Sequence, residues 1–383
     1  MARRGGVESV LAVLTLLVGL LAPSIQQVQS IGVCYGTHGD NLPAPGDVVQ
    51  LYQSNHIDAM RIYLPNDTIL HALRGTNIAV IVDAPDVRSL ASDDATNASS
   101  SAAQAWVQAN VQPYYPDVNI KYIAVGNEVE GDDRHKILPA MNNIRDALSA
   151  AGLGGHIKVS TSVKMNVIAS SPLPSKGAFA EPSVMGPIVK FLASNGSPLL
   201  ANVYPYYAYM HNDHMDANFT LFLPSSMTMD DNGLTYTNLF DAMVDSIYSA
   251  MEKEGGPDVP VVVSETGWPS ADGRGASKDN AMVYNQNLIS HVGKGTPKRP
   301  VALEVYMFAM FDENQKTGDH IEKHFGLFNP DKSSVYCINF SGTSDYSCPQ
   351  SQRSMGLASR PVYYAMVIVC LNLVLLFWPA NRL

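Results

Sequence analysis

From residue 31 onward the chain alternates between short apolar runs and longer stretches in which apolar residues recur every three or four positions. The short runs are 31–35, 59–63, 78–83, 122–126, 157–162, 199–204, 259–264 and 301–307. Many are nearly continuous apolar runs, as expected for parallel strands buried on both faces. Between them, 238–254 sets Leu239, Met243, Ile247 and Met251 on one helical face. Residues 136–150 and 183–193 have similar periodicity, and Gly152, Gly196 and Gly255 fall where helices should stop. Residues 205–235 form the longest connection without a clear helix, the mark of an insertion beside a site. Eight strand-then-helix units over about 300 residues predict a single-domain α/β fold, a (β/α)8 TIM barrel. An open doubly wound sheet also alternates, but no G-x-G-x-x-G follows the first run, where a dinucleotide fold carries it.

The two ends depart from this pattern. Residues 1–30 hold a basic start at Arg3 and Arg4, an apolar run from Val10 to Ala22 and small residues Val28 and Ser30 at the exit. These are the parts of a secretory signal peptide, so the mature chain is expected to begin near Ile31. Residues 361–383 form an apolar tail interrupted by Asn372 and followed only by Asn381, Arg382 and Leu383. With the polar, small-residue spacer 337–360 before it, the tail reads as a removable signal for a glycolipid (GPI) anchor. A single transmembrane helix is the competing expectation. The folded domain is then expected to span 31–336.

The 383 residues are 46% apolar and 16% charged, which supports a large core and excludes a mostly disordered chain. Net charge is -10 with no basic tract, so nucleic acid is excluded as a partner. Each end carries +1, leaving -12 on the stretch between. Four cysteines without C-x-x-C spacing make neither a disulfide scaffold nor a metal site. Cys34 is expected to pack in the first strand, while Cys337 and Cys348 are spaced to allow pairing. His211 and His214 lie three apart in the long connection but lack further ligands, so a solvated loop is expected and no metal or cofactor. No G-x-S-x-G elbow is present. Sequons at Asn66, Asn97, Asn195, Asn218 and Asn339 accord with secretion and a glycosylated surface.

In a TIM barrel the residues just after each strand face the active site. The fourth run leads into Gly126-Asn127-Glu128-Val129 and the seventh into Ser264-Glu265-Thr266-Gly267-Trp268-Pro269. Two carboxylates across a barrel mouth suit glycoside hydrolysis, one donating a proton and the other attacking or stabilising the sugar carbon. Asn127 is placed to bond a sugar hydroxyl and Trp268 to stack on a sugar face. Tyr63 and Tyr204 close the second and sixth runs, aromatic groups of the kind that line a carbohydrate groove. Tyr206 and Tyr207 suit a groove and a core equally.

These segments together resemble the plant β-1,3-glucanases of glycoside hydrolase family 17. The resemblance is carried by Ile31-Gly-Val-Cys-Tyr-Gly36, Arg61-Ile-Tyr63, Tyr122-Ile-Ala-Val-Gly-Asn-Glu128 and Asn202-Val-Tyr-Pro-Tyr206. Val263-Ser-Glu-Thr-Gly-Trp-Pro-Ser270, Phe311-Asp-Glu-Asn-Gln-Lys316 and Phe325-Gly-Leu-Phe-Asn-Pro-Asp331 complete it. It implies a retaining endo-hydrolase of β-1,3-glucan with Glu128 as acid/base and Glu265 as nucleophile, their carboxyl groups about 5–5.5 Å apart. It also implies a charged cluster of Glu313, Lys316 and Glu322 near the substrate. Asp312 stands where the family is expected to carry Asn, a second acid beside Glu313. A transglycosylase, a mixed-linkage β-glucan hydrolase and a silent glucan-binding protein are the alternatives. An anchored form would act at the outer face of the plasma membrane, against the cell wall.

Overall fold

The computed structural model describes residues 31–92, 99–169 and 173–341. The expected signal peptide, the apolar tail, most of the spacer and the sequon at Asn97 lie outside those residues. Each predicted apolar run overlaps a strand: Ile31–Tyr35 (β1), Ala59–Ile62 (β2), Ala79–Ala84 (β3), Asn119–Asn127 (β4), Lys158–Lys164 (β5) and Leu199–Asn202 (β6). After a short hairpin of Met229–Asp231 (β7) and Leu234–Tyr236 (β8) come Val261–Thr266 (β9) and Glu304–Met307 (β10). The parallel strands close in the order β1-β10-β9-β6-β5-β4-β3-β2, an eight-stranded (β/α)8 barrel. Both faces of β1, β2, β6 and β9 are buried, which is why apolar residues dominate them apart from Arg61, Asn202 and the Ser264–Thr266 end of β9.

Helices pack outside the barrel where periodicity places them. Arg134–Ala150 begins two residues before the predicted stretch, and Pro182–Asn195 ends at Gly196 with φ 56°, a left-handed stop natural to glycine. Leu239–Lys253 starts at Asn238, whose side chain accepts from the Asp241 amide 2.8 Å away. Its Met243 leaves the predicted core stripe and lines the cleft described below.

The connection after β6 departs from expectation. It holds two short helices, Pro205–Met210 and Ala217–Thr220, before the β7–β8 hairpin. Helices of 6 and 4 residues are too short to show a 3.6-residue period. The hairpin is tied down at Asp231, whose carboxylate accepts from the Ser175 amide at 2.5 Å and the Ser175 hydroxyl at 2.7 Å.

Away from the mouth, Asp245 on the helix Leu239–Lys253 is fully buried against the turn that follows residue 295. The Thr296 hydroxyl and the Lys298 amide donate to it. Burial outweighs these donors and pushes its carboxyl up to about 6. Cys34 is buried and reduced, donating to the Ser264 carbonyl at 3.3 Å. Cys337 is disulfide-bonded; Cys348 falls outside the described residues. Among the described residues no helix is long and apolar enough to cross a membrane.

Candidate active site

The C-terminal ends of the barrel strands surround a cleft of about 730 Å³. Two register shifts shape its floor. One falls between Ala124 and Asn127 on β4 against β5, the other between Ala201 and Asn202 on β6, which sets Asn202 beside Glu265 of β9. Such irregularities re-aim side chains at a strand end.

Glu265 is 6% exposed and three donors converge on it. Arg61 Nη1 and the Tyr63 hydroxyl each reach Oε1 at 2.9 Å, and the Tyr204 hydroxyl reaches Oε2 at 2.8 Å. Arg61 sits in the middle of β2, fully buried inside the barrel. Asp83 of β3 meets it through two bonds, Nη2 to Oδ2 at 2.7 Å and Nε to Oδ1 at 3.2 Å. A buried guanidinium stripped of one such partner costs about 3–5 kcal/mol. The triangle Asp83–Arg61–Glu265 therefore fixes one carboxylate of the site firmly.

Glu128 has a different setting. Its φ of 51° lies in the left-handed region, which is uncommon for a non-glycine residue and costs of order 1–3 kcal/mol. Its amide donates to the Ser162 carbonyl at 2.9 Å, which holds the turn. The Asn202 amide nitrogen donates to Glu128 Oε1 at 2.8 Å, and Lys164 Nζ lies 3.9 Å from Oε2. Burial raises the Glu128 carboxyl above the usual carboxylate range, and the negative Glu265 across the cleft adds to this; Asn202, Lys164 and Arg61 oppose it. Two glutamates thus share a mouth, one half-buried and disposed to keep its proton, the other held by an arginine and two tyrosines.

Asn202 joins them. Its amide nitrogen also donates to Asn127 Oδ1 at 3.0 Å, while its own oxygen accepts from Arg61 Nη1 at 3.2 Å and the Ser264 hydroxyl at 2.8 Å.

Of the residues singled out from the sequence, Tyr63, Asn127, Glu128, Tyr204, Glu265, Glu313, Lys316 and Glu322 all line the cleft. Glu313 is buried, accepts from the His38 amide at 2.6 Å and lies against Gly36, where a Cβ would come within 2.3 Å of it. Lys316 lies 3.5 Å from Glu322 and over the Phe308 ring at 3.9 Å, and the Tyr207 hydroxyl donates to Glu322.

Trp268 does not face the cleft. It is fully buried, packs against Tyr206, Tyr209 and Tyr284, and donates to the Gly275 carbonyl at 2.9 Å. It props the helix Pro205–Met210 from beneath and presents no face to a sugar. Tyr206 joins that core, whereas Tyr207 lines the cleft. Asp312 also turns away: its carboxylate accepts from the Gly326 amide at 2.8 Å, and burial raises it above its ordinary range. His211 is exposed at the cleft rim, and no group of three metal-ligating side chains occurs among the described residues.

Sequence reasoning missed Arg61, Asp83, Asn202 and Lys164. The signal for the first two was a charge inside an otherwise apolar strand, which burial makes costly unless it is paired. Asn202 and Lys164 are the last residues of β6 and β5.

The chain is similar to known proteins over nearly the whole of the barrel. Residues 31–340 match the model of glycosyl hydrolases family 17. The chain is 56% identical over 329 residues to glucan endo-1,3-beta-glucosidase GII of Hordeum vulgare, covering 85% of this chain and 96% of that protein. It is 55% identical over 345 residues to the acidic glucan endo-1,3-beta-glucosidase isoform of Zea mays, covering 89% and 100%. Among solved structures, a plant beta-glucan endohydrolase superposes with a TM-score of 0.77 at 48% identity, over 81% of this chain and 100% of that one. With the barrel and these relatives in agreement, the chain belongs to family 17 of the glycosyl hydrolases and is an enzyme of that class.

Proposed function

We propose that the protein is a retaining endo-hydrolase of β-1,3-glucan that works by double displacement. The observation that carries the reading is the contrast between two glutamates in one cleft: Glu128 with its proton favoured, Glu265 orientated by three donors. Glu265 attacks the anomeric carbon while Glu128 gives its proton to the departing glycosidic oxygen, and a glycosyl ester of Glu265 forms. Water then attacks the same carbon, Glu128 takes its proton, and the ester breaks to return Glu265 as a carboxylate. The β-1,3 linkage and the endo mode are supported by the names of the relatives.

Tyr63, Asn127, Tyr204, Glu313, Lys316 and Glu322 would contact the glucan around the scissile bond. A signal peptide at 1–30 and an anchor signal at 361–383 would put this activity at the outer face of the plasma membrane. Of the sequons, Asn66 and Asn218 are exposed and suited to carry glycans, whereas Asn339 is buried.

The test is to incubate the secreted protein with a linear β-1,3-glucan and follow product sizes and anomeric configuration by NMR. Oligosaccharides of mixed length appearing first as β-anomers are the expected result. First products as α-anomers would refute retention, and glucose alone would refute the endo mode. Products longer than the substrate would identify a transglycosylase, and preference for a mixed-linkage glucan would reassign the substrate.

A further inference from the structure

Lys164 ends β5 beside Glu128, and its partners lie on the loop after β4. Its Nζ is 2.5 Å from Glu130 Oε1 and 3.9 Å from Glu128 Oε2. Glu130 also accepts from Asn166 Nδ2 at 3.3 Å. The ammonium is therefore anchored by one carboxylate while standing within electrostatic reach of another, two residues earlier. We propose that Lys164, restrained by Glu130, is a positioning residue that sets how readily Glu128 gives up and recovers its proton during the two halves of the reaction. The inference rests on Glu128 being the acid/base.

The two half-reactions make opposite demands on Glu128. In the first it must hold a proton, and the anionic Glu265 helps it do so. In the second Glu265 is an ester, its charge is gone, and Glu128 must be ionised to take a proton from water. A cation in direct contact with Glu128 would favour the ionised form throughout and impede the first half. With no cation nearby, burial would favour the protonated form and impede the second. A lysine whose closest contact is a different carboxylate lies between these extremes.

The other groups around Glu128 do not supply this balance. Glu265 of β9 changes charge within the cycle, and Arg61 of β2 is committed to Asp83 and Glu265. Arg134, at the start of the next helix, pairs with Glu181 and the Val129 carbonyl. Tyr207, from the helix after β6, has a hydroxyl made less acidic by burial and stays neutral in the working range. Lys164 is the neighbouring cation whose anchor, Glu130, is at the surface.

The experiment uses the secreted full-length enzyme and the pH profile of kcat/KM, whose alkaline limb reports the acid of the free enzyme. Lys164→Met should move that limb to higher pH, so that on the alkaline side the variant keeps roughly threefold more of its own maximum than wild type. It should also accumulate glycosyl-enzyme, seen as a burst and as an intact adduct by mass spectrometry. Glu130→Gln should move the limb the opposite way, because Lys164 is freed towards Glu128, and Lys164→Arg should restore the wild-type limb. An unmoved limb in both Lys164→Met and Glu130→Gln, with only KM raised in the former, would reduce Lys164 to a sugar contact and overturn the proposal. Azide added to Glu128→Ala separates the premise: a β-glycosyl azide product upholds the acid/base reading whatever Lys164 does, and its absence removes that reading.

Discussion

Glu128 and Glu265 are the same residue type at the same topological position, the C-terminal ends of two parallel strands. Their surroundings differ in nearly every other respect. Glu265 is buried within its strand, with Arg61, Tyr63 and Tyr204 converging on its two oxygens. Glu128 is half-buried on left-handed backbone, with one amide donor and a lysine 3.9 Å away. A carboxylate that must attack along one line benefits from being held; one that must exchange protons with both a sugar oxygen and a water needs solvent access and fewer donors. The chemical role is therefore assigned by neighbours rather than by the glutamate.

That contrast can be broken from either side. Glu265→Gln removes the attacking oxygen while keeping shape, and should lower kcat by 10⁴-fold or more with an unchanged melting temperature. Activity within tenfold of wild type would end its assignment as nucleophile. Glu128→Gln should cost about 10²–10⁴-fold on glucan, the range of general acid catalysis. On an aryl glycoside with an acidic phenol the loss should be much smaller, because that leaving group needs little proton assistance. Equal losses on both substrates would contradict the acid role. Tyr204→Phe withdraws one donor from Glu265 Oε2 and should lower kcat/KM by roughly tenfold, a charged hydrogen bond's worth. No change would mean that Arg61 and Tyr63 suffice to orientate the nucleophile.

The smallest effect sharpens the comparison from outside the cleft. Asp245 is a buried acid with no catalytic partner, and its folded-state carboxyl titrates near 6 rather than at its ordinary 3.8. Between those values the folded chain binds a proton that the unfolded chain does not, so stability declines as pH rises through this window and levels off above about 6. The melting temperature of Asp245→Asn measured from pH 4 to 7 should lack this component of the wild-type slope. Identical slopes would show that other groups govern the acid range.

Much of the fold was legible because burial on both faces leaves a plain mark: apolar runs spaced by helix-length segments. The two cleft glutamates were legible for a related reason, since a glutamate at the end of such a run sits at a barrel mouth. Trp268 was misread because it lies two residues beyond the end of β9, and spacing does not reveal which way a turn through Gly267 points the next ring. Lys164 was missed because β5 runs two residues past the predicted end at Ser162, carrying the lysine into the cleft. Arg61 was visible as a charge in an apolar strand, but its partners Asp83 and Glu265 are 22 and 204 positions away. No local pattern encodes a contact of that separation.

The side chain of Asn202 touches Glu128 directly and reaches Glu265 through Arg61. Substitutions at either glutamate's surroundings will consequently fail to add, because each alters an amide the other depends on. For a lineage drifting toward a new glucan, this makes the catalytic floor a unit inherited whole. Change is left to the outer wall of the cleft, where His211, Met165 and Met243 stand clear of that shared side chain's bonds.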